Sequence, residues 1–225
     1  MNEVNNRKLE LATNLERINE RIKVAADGAG RDWDSITLIV VTKTFPVSDI
    51  KMLYELGIRN FGENRDQEGA LKSPELPGDC LWHFQGQIQS NKLKSIAEWA
   101  SVIHSIDEIS HARKLSSLVD QKDIFIQVSL SNQANRGGVA PEDLGSFISE
   151  LATLENLEIR GLMAVAPLEQ APEVAFKRLK EISEEVINNF PGATAISAGM
   201  SNDFEAAIAQ GATHIRIGSQ ILGVR

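Results

Sequence analysis

Short β-branched runs alternate with amphipathic stretches eight times along this chain, and that regularity restricts the fold more than any other feature of the sequence. Residues 36–41, 58–61, 81–84, 101–106, 123–130, 157–165, 194–197 and 213–217 read as strands. The first, Ile36-Thr-Leu-Ile-Val-Val41, has the continuous apolar character of a strand covered on both faces. Helices are predicted between the strands. They cover 47–56, bounded by Pro46 and Gly57, then 65–72, then a segment after Ser90 as N-cap, then 108–119. Another opens near Pro141, a sixth carries Ala175, Leu179, Ile182 and Val186 on one face, and a seventh covers 201–210. A further helix precedes the alternation: Leu11, Leu15, Ile18, Ile22 and Ala25 share one face, and Gly28 and Gly30 end it.

Eight such units predict a single (β/α)8 TIM barrel with an extra N-terminal helix, one domain over residues 1–225. An open doubly wound sheet is the alternative; the count of eight favours closure. A chain of 225 residues can build one sizeable core and is short for two. A net charge of −8 argues against nucleic acid as a partner. The longest apolar stretch, around Leu38 to Val41, is far below the ~20 residues of a membrane helix. The polar opening, Met1 to Glu10, does not read as a signal peptide. The one cysteine, Cys80, can form neither an internal disulfide nor a metal cluster, which suits a reducing cytoplasm.

Barrels of this class work at the C-terminal ends of their strands. That rule nominates Lys43, Asn64, Gln85, Asn135, Arg136, Met163, Ser197, Arg216, Gly218 and Ser219. Lys43 follows a buried strand, where a low-dielectric setting would favour the neutral amine and make it a nucleophile toward carbonyls; otherwise it is a surface lysine past a strand end. Ile196-Ser-Ala-Gly-Met-Ser-Asn-Asp203 and Ile215-Arg-Ile-Gly-Ser219 each join a strand to a glycine-containing turn and a helix. Ser201 reads as the cap of the first of these helices, and two such turns after strands seven and eight point to a phosphate. Asp203 would repel an anion placed nearby. Alternation puts Arg216, Gly218 and Gln220 on one face, and a buried arginine there needs a ligand or a barrel carboxylate. Asn64 either contacts a ligand or caps the next helix. His83 reads as a satisfied structural histidine, and His104, His111 and His214 show no ligand spacing, so no metal is expected.

Six segments in order resemble the YggS/PROSC family of pyridoxal phosphate (PLP) homeostasis proteins over nearly the whole chain. They are Val40-Val-Thr-Lys-Thr44, Asn60-Phe-Gly-Glu-Asn64, Trp82-His-Phe-Gln-Gly-Gln-Ile-Gln-Ser-Asn-Lys92, Arg160-Gly-Leu-Met163, Ser197-Ala-Gly-Met-Ser-Asn-Asp203 and Arg216-Ile-Gly-Ser219. The resemblance implies that Lys43 forms the Schiff base with PLP. It implies that Ser197, Gly218 and Ser219 cradle the phosphate, that Arg216 faces the pyridine nitrogen, and that Asn64 and Met200 lie near the cofactor. The sequence departs from the usual pattern at Val41-Thr42 and at Asn135-Arg-Gly-Gly138; the latter leaves the loop after strand five without an assigned role.

An arginine at the ring nitrogen disfavours its protonation and damps carbanion chemistry. Related racemases take an opposing acid/base tyrosine from a second domain. Here the chain ends at Arg225, and its only tyrosine, Tyr54, is expected on the first barrel helix, away from the mouth. The expectation is therefore a protein that stores, buffers or delivers PLP without strong catalysis, as a monomer, with PLP-dependent apoenzymes as the recipients of delivery. A weak amino-acid racemase is the alternative, and a Schiff-base lyase barrel without PLP is a third reading.

Overall fold

A computed structural model describes residues 3–131 and 137–224. Eight parallel strands close into a barrel in the order β1 to β8, so the open-sheet alternative is set aside. The strands are β1 (Thr37–Val41), β2 (Asn60–Glu63), β3 (Leu81–Phe84), β4 (Val102–Ile106), β5 (Lys122–Gln127), β6 (Leu157–Met163), β7 (Ala195–Ser197) and β8 (His214–Ile217). Closure comes where β1 pairs with β8, with Ile39 opposite Arg216 and Val40 opposite Ile217. Outside lie α2 (Val47–Glu55), α3 (Asp66–Lys72), α4 (Leu93–Trp99), α5 (Ile109–Ser116), α6 (Leu144–Leu151), α7 (Pro172–Asn189), α8 (Phe204–Ala209) and α9 (Ser219–Leu222).

The main core fills the layer between strands and helices. Val40, Phe61, Ile103, Ile124, Ile126, Leu162, Ile215 and Ile217 face it, with Ile50, Leu53, Ile96, Leu115, Ile148, Leu179 and Ile208 from the helices. Burial of each such side chain is worth about 1.5–3 kcal/mol, which makes this layer the principal source of stability. The barrel interior differs: Val102, Phe125 and Met163 form a separate small cluster, and buried polar side chains pack beside it, with His104 stacked on Phe125. The preceding helix, α1 (Glu3–Gly28), buries Leu11, Leu15, Ile18, Ile22 and Ala26 against α2, α8 and α9. Ala26, rather than the expected Ala25, completes that stripe. Arg7 ties α1 to Asp49 at 2.7 Å and to the Leu222 carbonyl at 2.8 Å, so this helix fastens the seam between β1 and β8. Among the described residues no helix is long and apolar enough to cross a membrane.

Two helices start later than their serines suggest. α4 begins at Leu93, because the Ser90 hydroxyl hydrogen-bonds His111 Nε2 at 2.9 Å instead of capping. α8 begins at Phe204, because the Asp203 carboxylate accepts the Met200 N–H at 2.5 Å and residues 201–203 form a turn.

Candidate functional site

Lys43 stands in a turn directly beyond β1, and its side chain is exposed, without a hydrogen bond or ion pair among the described residues. The enclosed, low-dielectric setting expected for it is absent. The turn beyond β8 lies alongside. A Cβ placed on Gly218 would meet the Val41 carbonyl at 3.0 Å, so the two backbones touch at the seam. Gly218 opens α9 and Ser219 is its exposed first residue. The Ser219 hydroxyl donates to that of Ser201 at 3.3 Å, which joins the turns after β7 and β8. Gly199, at φ 91°, permits the first of these turns, where any Cβ would strike Phe204 and Ala207 at 2.8 Å. Met200 is exposed on the same turn. Gln220 departs from the expected face: alternation stops at Gly218, and its amide donates to the Ser201 carbonyl at 2.6 Å.

Arg216 lies beneath these turns and is only 5% exposed. Among the described residues no carboxylate forms an ion pair with it. It donates instead to the Ser197 hydroxyl at 2.7 Å, the Ser197 carbonyl at 2.8 Å and the Ala164 carbonyl at 3.1 Å. Burial lowers its pKa to about 10, so it stays charged near neutral pH. Ser197 is fully buried, and its hydroxyl is committed to Arg216 and to His104 Nδ1 at 2.9 Å. It therefore supports the arginine from below rather than joining the cradle expected of it.

That serine ends a longer chain. His104 Nε2 meets His83 Nδ1 at 2.9 Å, and His83 Nε2 meets Asn60 Oδ1 at 3.0 Å. Arginine can only donate and the asparagine oxygen only accepts, which orients one consistent path: Arg216 to Ser197 to His104 to His83 to Asn60. Burial holds the His83 pKa at about 3 and drives that of His104 well down, so both rings are neutral. Phe125 stacks on His104 with centroids 4.4 Å apart. The structural role expected for His83 agrees with this placement.

Asn64 is exposed at the end of β2, and its carbonyl would lie 2.1 Å from a Cβ on Gly86. It lines a cleft of about 350 Å³ beside the mouth, with Arg65, Gln87, Gln89 and Lys92. Lys43, Arg216 and Gly218 do not line that cleft. Gln85 Nε2 is buried against Gly62, without a hydrogen-bond partner among the described residues. Met163 is buried in the barrel interior. Asn135 and Arg136 lie outside the described residues; nearby, Gly138 donates its N–H to Asp107 at 3.0 Å. Sequence reading passed over one ligand-like spacing. The ligand atoms of Asp107, Glu108 and His111 lie within 4.8 Å of one another. Such exposed acidic groups are common without an ion, and His111 is already held by Ser90. Tyr54 is on α2, bound to Asp79 at 3.0 Å and covering Arg59, near the N-terminal ends of β2 and β3.

The arrangement suits an aldehyde that also carries a phosphate. It offers an exposed amine, a double turn with two hydroxyls, and a buried cation that forms no ion pair among the described residues. The chain matches the family described as alanine racemase, N-terminal domain, over residues 13–225. It is 40% identical to the pyridoxal phosphate homeostasis protein of Pseudomonas aeruginosa, covering 96% of each chain. It is 36% identical to that of Escherichia coli K12, covering 96% of this chain and 97% of the other. Among solved structures it is similar to PipY of Synechococcus elongatus with PLP bound, at a TM-score of 0.83 and 33% identity over 95% of this chain and 100% of PipY. Alanine racemase of Corynebacterium glutamicum, at a TM-score of 0.68 and 16% identity, covers 94% of this chain and 61% of its own, and shares the fold.

Proposed function

This chain belongs to the family of pyridoxal phosphate homeostasis proteins, and on that premise we propose that it holds PLP as a Schiff base on Lys43 and stores or delivers the cofactor without strong catalysis. The observation that supports the reading is the close approach of Gly218 to the backbone of Val41, two residues before Lys43, at the barrel seam. Bound PLP supplies an aldehyde for the amine and an electron-withdrawing ring. The protein's own residues supply the rest. Gly218, Ser219 and the linked Ser201 hydroxyl receive the phosphate, with Asn64 and Met200 at the rim. Arg216, fixed by Ser197 and the neutral histidines, presents a positive charge to the ring nitrogen and opposes its protonation. The tyrosine that could oppose the lysine, Tyr54, is instead bound to Asp79 toward the other end of the barrel. Action as a monomer, in a reducing cytoplasm suited to the lone Cys80, and transfer to PLP-dependent apoenzymes complete the reading.

Absorbance before and after borohydride reduction, with mass mapping of the labelled lysine, tests it. The expected result is a visible band replaced by a stable adduct on Lys43. A label on another lysine, or none, overturns the Schiff-base assignment. In Lys43→Ala the band is lost while PLP is retained weakly through its phosphate. Racemisation of single-enantiomer alanine or serine that disappears in Lys43→Ala overturns the non-catalytic part.

A further inference from the structure

A buried ammonium lies under the turn that carries Lys43, and the proposed function leaves it without a role. Lys72, 7% exposed on α3, donates to Glu63 Oε1 at 2.7 Å, to Glu68 Oε2 at 2.7 Å and to the Thr42 carbonyl at 2.9 Å. Glu63 is fully buried at the end of β2, and its Oε1 also accepts the Thr42 hydroxyl at 2.7 Å. Glu68 Oε2 accepts a second donor, the Thr44 N–H, at 2.7 Å. Thr44 has φ 68°, and no other non-glycine among the described residues has a positive φ.

Each fact is unusual alone, and together they converge on three residues. Thr42 is held by side chain and carbonyl, Thr44 by its N–H, and Phe45 N–H closes the turn on the Thr42 carbonyl at 3.1 Å. Lys43 is the residue in between. A β-branched residue in the left-handed region is strained and persists only where its surroundings over-determine it. Buried ion pairs are weak contributors to stability, and well-packed apolar residues often replace them without loss. A buried pair retained under a strained turn is better explained by the shape it imposes.

We propose that Lys72, shared between Glu63 and Glu68, is a positioning group for Lys43: through Thr42 and Thr44 it holds the turn in the left-handed shape that presents the amine at the mouth beside the Gly218 turn. The inference rests on the reading of Lys43 as the cofactor lysine, and the experiment separates the two.

The test uses the full chain with Glu68→Ala, Glu68→Gln and Lys72→Met. PLP is added to cofactor-free protein, the Lys43 adduct is trapped over time with borohydride, and amide exchange at Thr44 is followed without PLP. Misplacing a reacting group by about 1 Å costs up to ~100-fold in rate, so Glu68→Ala is expected to slow adduct formation by roughly tenfold or more. Thr44 exchange should rise in parallel. Glu68→Gln keeps an acceptor oxygen for Thr44 and should stay within about threefold of the parent. Lys72→Met should slow trapping further; if it fails to fold, the Glu68 pair decides. A folded Glu68→Ala protein with parental trapping rate and Thr44 protection overturns the proposal. If the parent itself forms no Lys43 adduct, the cofactor reading fails. Thr44 exchange then decides the clamp alone: lost protection in Glu68→Ala upholds it and unchanged protection overturns it.

Discussion

Arg216 and Ser197, on adjacent strands β8 and β7, are joined twice: one guanidinium nitrogen donates to the serine hydroxyl at 2.7 Å and to its carbonyl at 2.8 Å. The arginine is thereby anchored on the side away from the mouth, and its direction is set by the barrel rather than by a ligand.

Ser197→Ala removes an acceptor from Arg216 and the donor to His104 Nδ1, both fully enclosed. A buried group left without its partner costs about 1–3 kcal/mol, so the urea midpoint should fall accordingly. PLP retention through the phosphate should change little. An unchanged midpoint together with lost phosphate affinity would return Ser197 to the cradle.

Acid should weaken the fold in a defined window. Burial lowers the His83 pKa to about 3 and that of His214 to about 4, against an ordinary value of 6.5. Both are neutral in the native state at pH 7, so their contribution is complete above pH 6.5. Below that, the unfolded chain binds protons that the folded chain refuses. Stability then falls toward the folded values by about 1.4 kcal/mol per pH unit for each histidine. His214→Gln should flatten this slope between pH 6 and pH 4 in urea titrations; an identical slope contradicts the burial argument.

Gly86→Ala should be costly although no bond is lost. The added Cβ would sit 2.1 Å from the Asn64 carbonyl, a backbone atom that cannot swing aside. Overpacking of this kind costs about 1–3 kcal/mol, and it should displace Asn64 at the mouth. Thermal melting reads the first effect and weakened PLP retention the second. A variant with parental melting would show that β2 and β3 can separate freely there.

Arg216→Gln removes the positive charge assigned to the ring nitrogen. Loss of a nearby cation raises the pKa of groups that gain a proton, so the pH at which the visible band changes should rise by on the order of one unit. Spectra collected across pH in the parent and the variant test this. Coincident titration curves would remove Arg216 from the ring.

The barrel was legible because buried parallel strands leave continuous β-branched runs, and residues 36–41 and 213–217 announce the two strands that close it. The seam residues were legible for the same reason: Lys43, Arg216, Gly218 and Ser219 follow from strand ends alone. What the sequence hid depends on partners far along the chain. Ser197 looked like a phosphate ligand until His104, brought in by β4, took its hydroxyl. Ser90 and Ser201 looked like helix caps, yet His111 holds one and Asp203 provides the turn for the other. Lys72 and Glu63 are nine residues apart on different elements, a spacing that no periodicity marks.

The pairing of β1 with β8 also has a consequence in time. Translation makes β1 first among the eight strands and β8 last, so the seam that they share can close only after every other strand has been made.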